Sequence, residues 1–180
     1  MKKLRRNIPV LLFLVGILFG CTQNTKDADV EADIAAIREV LDQYKLAINT
    51  DDMDLFISCW ADDAKRMEPD LDVIIGKENI RERFQIFFDY LIMDLDFYGE
   101  TEVEVDGDLA FSMANVIISS SPKEGGPKNH LDFKVTDIFK RQTDGSWKIY
   151  MDHISPNPMW SNDSISQELL DKQDLSDPVL

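Results

Sequence analysis

Residues 76–107 read GKENIRERFQIFFDYLIMDLDFYGETEVEVDG, and the hydrophobic period changes inside this stretch. After Gly76, the residues Ile80, Phe84, Phe87, Phe88 and Leu91 recur at spacings of three and four, the stripe of an amphipathic helix, with Lys77, Glu78, Arg81 and Glu82 left to water. Residues 94–105 read instead as a strand, and Asp106-Gly107 supplies a tight-turn signal leading into a second strand, Leu109 to Ser120. One segment thus closes a run of helices and opens a run of strands.

Working upstream, Ile34, Ile37, Leu41, Tyr44 and Ile48 form another three-and-four stripe, with Asp29 as the expected N-cap. Asp51 or Asp52 can cap a second short helix, whose apolar face carries Leu55, Phe56, Cys59 and Trp60. Working downstream, Pro122, Gly125, Gly126 and Pro127 mark a longer loop. Leu131 to Lys140 and Trp147 to Ile154 then make a hairpin around Asp144-Gly145. Three helices followed by an antiparallel meander predict one α+β domain over residues 30–156, cone-shaped, with the helices packed on one face of a curved antiparallel sheet. Roughly 130 residues suffice for one core and leave no room for a second. Residues 157–180 read as an acidic tail.

The N-terminus carries an address. Lys2, Lys3, Arg5 and Arg6 precede an apolar run from Ile8 to Phe19, then Gly20 and Cys21, the order of a secretory signal peptide. The run is shorter than the ~20 residues a spanning helix needs. Leu18-Phe19-Gly20-Cys21 resembles the bacterial lipobox, which implies cleavage after residue 20, lipid on Cys21 and a domain held outside the cytoplasm at a bacterial membrane. Residues 22–29 are polar and aperiodic, as a tether would be. The chain has net charge −15; removing residues 1–20 takes four basic residues and no acidic ones, which leaves −19. Such a surface repels nucleic acid and anionic lipid. With Cys21 lipidated, Cys59 has no partner and reads as a small core hydrophobe.

The order of elements, together with Trp60-Ala61-Asp62-Asp63-Ala64, Gly76-Lys77-Glu78-Asn79-Ile80 and Gly145-Ser146-Trp147-Lys148-Ile149, resembles the ketosteroid isomerase and nuclear transport factor 2 superfamily, in the branch related to the SnoaL polyketide cyclases. The resemblance spans Ile34 to Pro156. It implies a cone with an internal cavity and, in many members, a homodimer through the exposed sheet face. It also implies three catalytic positions: Tyr44 at the tyrosine that donates to a developing enolate, Glu68 at the proton-shuttling carboxylate, with Glu in place of Asp, and Asp137 at a second carboxyl kept protonated by an apolar site. Asp152-His153-Ile154-Ser155 is similar to the His-x-Ser that closes many SnoaL-like sequences, which adds His153 as a base or donor.

The residues also permit structural readings. A tyrosine on the buried stripe of a helix normally packs its ring and finds one partner for its hydroxyl. By period two, His153 shares a strand face with Trp147, Ile149 and Met151, which places it toward the cavity. Lys134 and Thr136 lie on one face of their strand and Asp137 on the other, and either set can line the cavity. Trp60, Met67 and Phe84 complete the expected ligand-binding wall. His130 follows a Gly-Pro loop and reads as a solvent-exposed residue. The histidines and cysteines lack metal-ligand spacing, and there is no Gly-rich phosphate loop and no nucleophile elbow. The expectation is therefore a small-molecule ligand and no cofactor. Binding of an apolar ligand in the cone is the first reading, with cofactor-independent isomerase, dehydratase or cyclase chemistry and homodimeric assembly as alternatives.

Overall fold

The computed structural model describes residues 24–157; the expected signal segment and Cys21, within residues 1–23, and the expected acidic tail, residues 158–180, lie outside them. Three helices, α1 (Asn24–Asn49), α2 (Met53–Ser58) and α3 (Lys77–Tyr90), cover one face of a curved six-stranded sheet. The strands are β1 (Trp60–Met67), β2 (Ile74–Ile75), β3 (Leu91–Asp106), β4 (Leu109–Pro122), β5 (Asn129–Arg141) and β6 (Trp147–Pro156), in the order β2-β1-β6-β5-β4-β3. The α+β class and the helix-covered curved sheet are as the sequence predicts.

Four local expectations are corrected. The sheet is mixed, because β1 pairs parallel to β6. Trp60 opens β1 instead of extending α2, and Cys59 is the C-cap of that helix. Leu91 begins β3 and does not end α3, so the strand starts three residues before residue 94. Helix α1 begins at Asn24, so Asp29 is inside it and residues 24–29 are helical; nothing in that stretch is Gly or Pro, the residues that would stop a helix.

The predicted stripes do form the core. Ile37, Leu41, Tyr44 and Ile48 from α1 meet Phe56, Ile80, Phe84 and Phe88 from α2 and α3, with Trp60, Phe139, Trp147 and Ile149 from the sheet. Two polar clamps fix α1 over this core. Asp33 accepts from Arg141 Nη1 and Nη2 at 2.6 Å each and from Trp147 Nε1 at 3.1 Å, tying the helix to the β5–β6 hairpin. At the other end, Asn49 donates to the Leu95 carbonyl at 3.0 Å and accepts from the Leu95 N–H at 2.7 Å, so its side chain stands in for a strand neighbour of β3. Helix α2 is capped by Asp52, which accepts from the Leu55 N–H at 2.9 Å.

Between these clamps, strand β6 departs from simple alternation. Ile138 pairs with Met151 but Phe139 pairs with Ile149, so Tyr150 is an extra residue in the ladder. Trp147 and Ile149 are buried before it, and Asp152 is buried after it.

Candidate active site

The helices and the inner face of the sheet enclose a cavity of about 370 Å³ that opens between Pro69, Leu71, Leu91, Leu131 and Pro156. A narrower extension of about 30 Å³ continues inward, sharing Tyr44, Arg66, Ile118, Phe133 and Ile154 with the main cavity and ending at Asp137 and Asp152. That is room enough for a water molecule.

The cavity wall is apolar except for Tyr44, Ser120 and one connected set of charged groups. Arg66 sits on β1 two residues past Ala64, on the buried face of the strand. Its Nε donates to Glu68 Oε1 and its Nη1 to Asp152 Oδ1, both at 2.8 Å. Glu68, just beyond the end of β1, also accepts at Oε2 from Arg83 on α3, from Nε at 3.1 Å and Nη2 at 2.8 Å. The Arg66 and Glu68 side chains are 6% and 8% exposed, so both ions are desolvated. Each guanidinium also lies against a ring of α3: Arg66 over Phe84 at 4.7 Å and Arg83 over Phe87 at 4.5 Å. Breaking such a set by removing one member leaves a buried charge without its partner, at roughly 3–5 kcal/mol.

Asp137 and Asp152 are directly opposed on β5 and β6. Asp137 accepts from Ser112 Oγ at 3.3 Å through Oδ2, while Oδ1 is sealed and meets no donor. An ionised carboxyl in that place would be uncompensated. Burial first, then the charge of Asp152 and the bond to it, push the Asp137 carboxyl well above the usual range. We therefore assign it as the protonated member, donating to the Asp152 carboxylate that Arg66 holds. For Glu68, burial opposes ionisation, but the bonds and charges of Arg66 and Arg83 outweigh it and hold its pKa below the ordinary glutamate value. For Arg66, burial likewise opposes the charge, and Asp152, Tyr44 and Glu68 more than restore it.

Tyr44 enters the same space from α1. Its ring packs against Phe56 at 5.1 Å and Trp60 at 6.2 Å between centroids, and burial pushes its phenol above the ordinary range. Among the described residues, neither the Tyr44 hydroxyl nor Arg66 Nη2 has a hydrogen-bond partner in the protein, and both residues line the cavity.

The structure brings together Tyr44, Glu68, Asp137 and Phe84 from the residues singled out in the sequence. It separates the others. His153 is exposed on the outer face of β6, because the extra residue at Tyr150 inverts the alternation and turns Asp152 inward in its place. Met67 faces outward beside it, and Arg66 takes the inward position. Trp60 is core, 1% exposed, behind Tyr44 and away from the cavity wall. On β5 the inward set is Phe133, Val135, Asp137 and Phe139; Lys134 and Thr136 are exposed and border a shallow depression on the outer face. Glu68 is inward but clamped, which makes it a poor proton acceptor. Arg66, Arg83, Ser112 and Asp152 were missed. Arg66 carried a signal, since it stands two residues past Ala64 and two before Glu68, the spacing that puts side chains on one side of an extended chain.

Residues 30–150 match the sequence model of the SnoaL-like domain. No curated protein matches the sequence significantly. Among solved structures, a conserved protein from Planctomyces limnophilus is 24% identical with a TM-score of 0.65, over 71% of this chain and 99% of that one. A ketosteroid isomerase-like protein from Erwinia carotovora is 22% identical with a TM-score of 0.59, over 68% and 94%. A nuclear transport factor 2-like superfamily protein from Salmonella enterica is 15% identical with a TM-score of 0.64, over 77% and 98%. At these identities the structural likeness speaks for the fold alone.

Proposed function

Because this chain belongs to the SnoaL-like domain family, whose fold carries many unrelated activities, we propose from its own cavity that the cone binds a small, uncharged, mostly apolar molecule bearing one hydrogen-bond acceptor. The observation that carries this reading is a mostly hydrophobic wall on which the Tyr44 hydroxyl and Arg66 Nη2 are unengaged donors, its other polar side chains being Ser120 and the paired Arg83 and Glu68. Charge bookkeeping selects the ligand: Arg66 and Arg83 are matched by Glu68 and Asp152, and protonated Asp137 adds nothing, so the site offers donors without net charge. A cavity of this size suits a compact ring or short chain.

Cyclohex-2-enone, which has one carbonyl acceptor, is a suitable probe. Removing the Tyr44 donor as Tyr44→Phe should weaken its binding by about 0.5–1.5 kcal/mol, roughly two- to thirteenfold. Equal affinity for both proteins would sink the assignment of Tyr44 as a donor. The same titration in D₂O separates binding from turnover. Tyr44 and a protonated Asp137 border one cavity, which favours proton transfer next to a carbonyl as the second reading. Protein-dependent exchange of the α-protons would support it, and a bound ketone that keeps its protons would leave a binding module.

Two associations complete the proposal. Lipid on Cys21 would hold the domain at a membrane outside the cytoplasm; Cys21→Ser should then move the protein from the membrane to the soluble fraction, and unchanged fractionation would reject the anchor. On the outer sheet face, the register lines up Glu104, Phe111, Ile138, Met151 and Lys65 across β3, β4, β5, β6 and β1. The row runs from acid through apolar side chains to base, which supports pairing with a second copy about a two-fold axis parallel to the strands.

A further inference from the structure

We propose that Glu68 is an electrostatic mask that sets the specificity of the cavity, excluding carboxylates from an arginine pair otherwise built to receive one. This rests on the cavity reading above and adds to it the ligand class that is refused and the residue that refuses it.

The argument begins with the two arginines. Arg66 and Arg83 approach the cavity from different elements, β1 and α3, and both line it. Each guanidinium lies over an aromatic ring, Phe84 and Phe87, and is held by hydrogen bonds to Glu68, so neither needs to be ordered when an anion arrives. A planar, preordered pair of guanidiniums matches the geometry of a carboxylate. Glu68 occupies that position from within the chain, accepting from Arg66 through one oxygen and twice from Arg83 through the other. An arriving carboxylate must compete with this internal one, whose effective concentration is set by a covalent link and lies in the millimolar range or above. It must also enter a region where Glu68 and Asp152 already balance both cations. An uncharged ligand faces neither obstacle.

Glu68→Gln preserves the side-chain volume and one acceptor oxygen while removing the charge, so it unmasks the pair without emptying the space. Asp137 is the group able to ionise and restore neutrality in that variant, so Glu68→Gln with Asp137→Asn fixes the excess positive charge. Cyclohexanecarboxylate and cyclohexanecarboxamide are the probes, equal in shape and different in charge, titrated calorimetrically into the full chain. The unaltered protein should prefer the amide. In the double variant the carboxylate should gain at least about tenfold relative to the amide, in Glu68→Gln alone the gain should be smaller because Asp137 can ionise, and adding Arg83→Met to the double variant should cancel the gain.

A carboxylate-to-amide ratio that stays the same in all proteins, while the unaltered protein binds the amide, overturns the mask and leaves the cavity reading standing. A parallel gain for both probes would mean a loosened cavity and also overturns it. Failure of every protein to bind either probe removes both readings.

Discussion

With Asp137 ionised, the buried set would hold Arg66 and Arg83 against three carboxylates, one net negative charge among apolar walls. With Asp137 protonated the sum is zero, and the proton serves as the donor that Asp152 faces. This fixes a sign. A carboxyl whose folded pKa is raised contributes stability that is fully present below its unfolded value, ~3.9, and is lost as pH rises through the folded value. Glu68 and Asp33 work in the opposite direction: their pKa values are lowered, so their contribution is present above the unfolded values and is lost as pH falls. Asp137→Asn should therefore become progressively more stable relative to the unaltered protein as pH rises, with the difference read from urea unfolding midpoints between about pH 5 and about pH 9. A difference that is constant across this range would show that Asp137 is ionised throughout.

At the scale of elements, legibility followed period. Helices α1 and α3 were readable because their stripes repeat over several turns, and the hairpins because Asp106-Gly107 and Asp144-Gly145 mark their turns. Gly107 and Gly145 both adopt positive φ, at 64° and 87°, as those turns require. Strand β1 was hidden because Trp60 and Ala61 are both buried while Asp62 and Asp63 are both exposed, so its first half does not alternate. Its pairing with β6 is also parallel and non-local, and nothing within eight residues of sequence encodes a partner so far along the chain. The site was half legible for the same reason. Tyr44, Phe84 and Asp137 lie on regular stretches where counting by three, four or two works, whereas Asp152 and His153 follow a ladder irregularity that composition does not announce. Arg66 was legible in principle, but a charged residue in a strand is usually assigned to water.

The whole molecule is acidic, and its outer sheet face is graded rather than uniform. Strand β3, an edge strand of 16 residues, carries Asp94, Asp96, Glu102, Glu104 and Asp106 outward, which discourages addition of further strands along that edge. Lys65 lies at the far end of the row that begins with Glu104, on β1. A two-fold axis along β5 would set Glu104 over the partner's Lys65 and Phe111 over the partner's Met151, with sheets ~10 Å apart. Lys134 and Lys140 lie on the axis strand and meet their own copies, the unfavourable part of this match, although Lys140 is already paired with Asp63 at 3.0 Å. Glu104→Lys and Lys65→Glu should each weaken self-association by about tenfold, since every exposed pair of ~0.2–1 kcal/mol occurs twice and becomes repulsive. Mixing the two variants should restore it, as light scattering would show. A monomeric unaltered protein at high concentration, or variants that associate as well as it does, would remove the dimer.

The extra residue at Tyr150 has a consequence for how this chain is compared with its relatives. One extra residue in β6 acts as a frameshift in space: residues before it keep their side of the wall, and residues after it change sides. Against a strand without such a residue, an ungapped alignment would equate Asp152 with an outward position and His153 with an inward one, and would transfer a function to the wrong neighbour. Counted from Pro156 backward and from Trp147 forward, the inward positions of this strand therefore disagree by one.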